Sequence, residues 1–138
     1  MSDILNELAI LRNIKGAKRL KGEDKIANEV SIYLKALTLE NRLRGVWFHV
    51  PNESVVRDTK DIIRINTKHN IGMINGAPDF VIAASNKTIF IELKTEKGRQ
   101  TESQKSFEKW CLKHGISYDI CRNVTDIENV LNREEVIS

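Results

Sequence analysis

Asp79, Glu92 and Lys94 stand on either side of a short turn, Ser85-Asn86-Lys87, which joins two apolar-rich runs, 79–84 and 88–95. Such a pattern predicts a β-hairpin. Strand residues alternate faces, so Ile89, Ile91 and Leu93 point one way while Phe90, Glu92 and Lys94 point the other. With the turn centred near Asn86, Asp79 falls opposite or diagonal to Glu92, within cross-strand reach. An E-x-K strand alone describes a solvated edge. Here Phe90 and Val81 share the charged face, which argues for partial cover, and Pro78 fixes the entry to Asp79. Gly72 and Gly76 let the adjoining loop approach a bulky ligand closely. Two carboxylates held together repel unless a proton or a cation sits between them. A hard divalent ion is the economical answer, because Mg²⁺ takes oxygen ligands at about 2.0–2.1 Å and keeps waters that a phosphate can replace.

The elements that must position these groups are readable from periodicity. Residues 3–14 place Ile4, Leu5, Leu8 and Leu11 at helical spacing, and a basic stretch, 15–22, follows. From Glu23 to about Arg44, Ile26, Val30, Tyr33, Leu34 and Leu37 form one apolar stripe, with Gly45 as a stop. Val46–Val50 reads as a strand, residues 53–70 as a weak helix, and 72–76 as a loop. Thr101–His114 reads as a helix opened by a capping box of Thr101 and Gln104, with Phe107, Trp110, Cys111 and Leu112 inward. Gly115 ends it, and a strand over 116–121 and a helix over 126–131 complete the chain. The order predicts an α/β fold with a mixed central sheet flanked by helices.

Pro78-Asp79 followed by Glu92-Leu93-Lys94 resembles the P-D…(D/E)-x-K signature of the restriction-endonuclease-like nucleases. Adding Phe48-His-Val-Pro-Asn-Glu53, Gly72-Met73, Gly76-Ala-Pro-Asp79, Ile91-Glu-Leu-Lys-Thr95 and Gln104, residues 23–131 resemble a VRR-NUC domain, a small nuclease module found alone in phages. The resemblance implies a restriction-endonuclease-like core acting as a metal-dependent DNA endonuclease. Asp79, Glu92 and the Leu93 backbone carbonyl would ligate Mg²⁺ or Mn²⁺, and Lys94 would orient or help deprotonate the attacking water. A glutamate on the first core helix is also implied; Glu29 is the leading candidate and Glu23 the alternative. Gln104 would point at the site, although the capping box already accounts for a glutamine there. Asn52, Lys97 and Arg99 would contact DNA, and Arg64, Lys68 and His69 form a second basic patch. Stand-alone members act as homodimers on branched DNA, which implies Holliday-junction or flap cleavage. A sequence-specific restriction or nicking enzyme and a catalytically silent DNA-binding subunit are the competing readings.

Composition bounds these readings without choosing among them. The chain has 138 residues, enough for one core. Its net charge of +3 is too small to identify a polyanion binder. The charge is unevenly placed: residues 1–22 hold five basic and two acidic side chains, and the remainder sums to zero. That divides the chain into an N-terminal helix and basic linker, 1–22, and a nuclease domain, 23–138, with Lys18 and Arg19 as added DNA contacts. Cys111 and Cys121 lack metal-ligand spacing and read as reduced core thiols. No apolar run is long enough to span a membrane and no signal-peptide core opens the chain, so an intracellular location is expected.

Overall fold

A computed structural model describes residue 11, residues 19–51 and residues 58–138. The expected helix over 3–14, together with Lys18 and Asn52, therefore lies outside the described residues, apart from Leu11. The elements run α1 (Gly22–Leu39), β1 (Gly45–His49), α2 (Thr59–Asn70), β2 (Phe80–Ala84), β3 (Thr88–Leu93), α3 (Glu102–Lys113), β4 (Ser117–Cys121) and α4 (Val124–Arg133). The four strands form one mixed sheet in the order β1-β2-β3-β4. β1 and β3 pair antiparallel with β2, and β4 lies parallel to β3.

Side-chain alternation divides this sheet into two unlike faces. Phe80, Ile82, Ile89, Ile91 and Leu93 point to one of them and are fully buried. They pack with Val30, Leu34 and Leu37 of α1 and Ile127, Val130 and Leu131 of α4, which makes the main hydrophobic core. The opposite face carries Phe90 and Tyr118, both against Phe107 of α3. The two cysteines are buried free thiols, as expected.

Helix ends differ from expectation in one informative place. The first core helix stops at Leu39 rather than near Arg44 because Asn41 takes a left-handed φ of 56°. The Asn41 and Arg42 amides then donate to the Thr38 and Leu37 carbonyls, a Schellman closure that glycine usually supplies. Asparagine tolerates this conformation through its short polar side chain. α3 corrects a second expectation. Cys111 is buried, but Trp110 is 52% exposed and Leu112 is 66% exposed. The helix lies over only part of the sheet, so a narrow strip through Gln104, Phe107 and Cys111 meets it. Among the described residues no helix is long and apolar enough to cross a membrane.

Candidate active site

The hairpin register decides where Asp79 sits. Phe80 pairs with Ile91, so the next step along the ladder sets Asp79 across from Glu92. The backbone agrees: the Asp79 amide donates to the Ile91 carbonyl at 2.9 Å, and the Val50 amide donates to the Asp79 carbonyl at 2.7 Å. The Asp79 side chain is held as well, its Oδ2 accepting from the Leu93 amide at 2.7 Å.

Glu92 is only 2% exposed. Its Oε1 accepts from Gln104 Nε2 at 2.7 Å, while Oε2 is buried with no hydrogen-bond partner among the described residues. Burial and then the neighbouring Asp79 carboxylate push the Glu92 carboxyl up to about 9; Lys94 partly offsets this and Glu23 adds to it. Gln104 fills both roles that its position allowed. Its Oε1 accepts from the Thr101 amide, completing the capping box, while its Nε2 reaches Glu92. The helix cap therefore fixes the rotamer that orients a site carboxylate.

The helix carboxylate at the site is Glu23, not Glu29. Ligand oxygens of Glu23, Asp79 and Glu92 lie within 4.8 Å of one another. Glu29 sits six residues further on, about 9 Å along the axis and turned by roughly 240°, so it belongs to another part of α1. Lys94, 7% exposed, brings its ammonium to 3.7 Å from Glu23 and 3.9 Å from Glu92. Together these groups line an open cleft of about 520 Å³, which His49, Lys68 and the Leu93 backbone region also border. Of the second basic patch named from the sequence, Arg64, Lys68 and His69, only Lys68 lines the cleft; its place there follows from the path of α2, which no local pattern encodes. Lys97 and Arg99 are on the loop after β3 and do not line the cleft, and Arg19 is exposed ahead of α1.

Three carboxylates around one point, one of them with an orphaned buried oxygen, fit a hard divalent cation by the chemistry of the donor set.

No protein-family model matches the chain, and no curated protein matches it in sequence. Comparison of folds does find a likeness. A solved structure described as a VRR_NUC domain protein superposes with a TM-score of 0.59 at 17% identity, covering 85% of this chain and 89% of that one. The chain has a VRR-NUC-like fold. That likeness agrees with the mixed four-stranded sheet and its flanking helices. On the VRR-NUC-like fold the acidic cluster lies where α1, β2 and β3 meet, at the open end of the hairpin.

Proposed function

We propose that the chain is a metal-dependent phosphodiesterase that hydrolyses DNA. The observation that supports this best is the convergence of Glu23, Asp79 and Glu92 beside the Lys94 ammonium, in an open cleft. Mg²⁺ or Mn²⁺ would be held by these carboxylates, with the Leu93 carbonyl as a further ligand. When bound, the ion lowers the pKa of a water and takes up charge on the phosphoryl oxygens.

The protein groups have distinct tasks. Asp79 is immobilised by the Leu93 amide and Glu92 by Gln104, so the donor set is organised before substrate arrives. Lys94 orients the attacking water and meets negative charge as it develops on the phosphate. Lys68 lies within the cleft wall, where it engages a flanking phosphate. Selectivity for branched DNA as a homodimer extends this reading, because one cleft cuts one strand and paired incisions across a junction need two copies.

The test is a panel of four-way junction, flap, nicked and plain duplex DNAs incubated with Mg²⁺, with Mn²⁺ and with chelator, the cut sites being mapped. Metal-dependent cutting of the branched substrates is expected. Complete resistance of all substrates rejects the nuclease reading, and a fixed cut sequence on linear duplex replaces structure selectivity with sequence selectivity.

A further inference from the structure

Lys94 sits just past the last residue of β3, where a strand end leaves a side chain free to wander, yet it is almost wholly buried. What holds it comes from the far side of the chain. Arg122 follows β4, and the parallel register that pairs Leu93 with Cys121 brings Arg122 level with Lys94. Its Nη1 donates to three backbone carbonyls of the loop after the strand: Thr95, Glu96 at 3.1 Å and Gly98 at 2.8 Å. The same loop closes on itself through the Gly98 amide and the Thr95 carbonyl, at 3.0 Å. Gly98 thereby lies beside the Lys94 side chain: a Cβ built there would stand 3.4 Å from Lys94 Cδ and 3.1 Å from Thr95 Oγ1, so the turn flanks the lysine stem closely. Arg122 is itself anchored, since its amide donates to Asp126 Oδ2 at 2.8 Å at the start of α4.

We infer that Arg122 is a positioning residue for the reaction, acting through the Thr95–Gly98 turn to hold the Lys94 ammonium between Glu23 and Glu92. This rests on the nuclease reading and adds to it a residue with no place in the cleft. The physical basis is that a loop with three inward carbonyls is electron-rich, and one guanidinium satisfies all three where a neutral side chain cannot. Without it the turn reopens to water, Gly98 lifts from the lysine stem, and the ammonium gains rotamers that point away from the phosphate. Even small displacements of a catalytic group are costly in an organised site.

The experiment compares wild type, Arg122→Ala and Arg122→Lys by steady-state cleavage, Mn²⁺ titration and amide hydrogen exchange. For Arg122→Ala, kcat should fall about 10- to 100-fold while KM and Mn²⁺ affinity change little. The Gly98 amide should exchange faster while the Ile89 and Ile91 amides keep their protection. Arg122→Lys, which retains one positive charge and three N–H donors, should recover part of both effects. An alanine variant with faster Gly98 exchange and unaltered kcat overturns the inference, as does a fall in kcat that comes with weakened metal binding or a deprotected core. Should Arg122→Ala not fold, Arg122→Gln takes its place with the same expectations. The two readings fail separately: a wild-type chain that cuts no DNA rejects the nuclease, whereas unchanged Gly98 exchange in the variant rejects the clamp whatever the activity.

Discussion

Glu92 carries an energetic conflict that the rest of the site must accommodate. Its carboxyl is pushed up to about 9 while an unfolded chain keeps it near 4.5. Between those values the folded metal-free protein holds a proton that the unfolded chain releases, so stability falls as pH rises through that window. Below it the penalty is absent. Thermal melts of metal-free protein at pH 5, 7 and 9 should show melting temperature descending in that order; a flat series would mean that Glu92 ionises normally. Glu92→Gln removes the charge but keeps the oxygen that accepts from Gln104. At pH 8 without metal it should melt above wild type, while cleavage falls at least about a hundredfold. Asp79→Asn should likewise lose cleavage and retain DNA binding, which gel-shift and single-turnover assays separate. These residues were legible because type and spacing carried them: P-D and E-x-K fall into register through a hairpin, and a hairpin is local. Glu23 was harder, since the distance from a helix start to a sheet end is set by tertiary packing rather than by any repeat.

At the level of elements, the loop between α2 and β2 depends on one close approach. Gly76 has a φ of +85°, and a Cβ built there would fall 2.2 Å from the Ser103 carbonyl oxygen and 2.8 Å from the Gln104 amide nitrogen. Both obstacles are backbone, so nothing flexible can yield. Gly76→Ala should destabilise by roughly 2 kcal/mol or more and shift the start of α3, taking Gln104 away from Glu92. Denaturant melts measure the first effect, and reduced Mn²⁺ affinity in a variant that still folds would register the second. Thr101→Ala probes the same joint more gently: losing the cap oxygen should cost about 1 kcal/mol and leave the Gln104–Glu92 contact to fray. The α3 boundaries were readable because capping chemistry and Gly115 write them into local sequence. Its inward face was not, because Trp110 and Leu112 follow helical periodicity that the narrow contact with the sheet leaves unused. The end of α1 was missed for a different reason, since a left-handed asparagine gives no signal as strong as glycine.

For the whole molecule, charge placement rather than net charge bears on DNA. The boundary drawn after residue 22 cuts the first turn of α1, which begins at Gly22 and carries Glu23 into the site. A chain beginning at Arg19 is therefore the cleaner truncation. If the basic residues ahead of it touch phosphates, its affinity should weaken, and the slope of log affinity against log salt should flatten by about 0.9 for each phosphate left unneutralised. An unchanged slope would make that stretch a bystander. The parallel pairing of β3 with β4 has a consequence in time. All three acidic residues and Lys94 have been synthesised before β4 exists, yet the Lys94 amide bonds to Cys121 and its loop to Arg122. From Glu92 until Cys121 is added, a nascent chain thus carries every acidic ligand without the frame that aligns them. If the proposed activity holds, it is completed only when β4 docks, and a chain arrested before residue 117 should fail to cut DNA even where it still binds it.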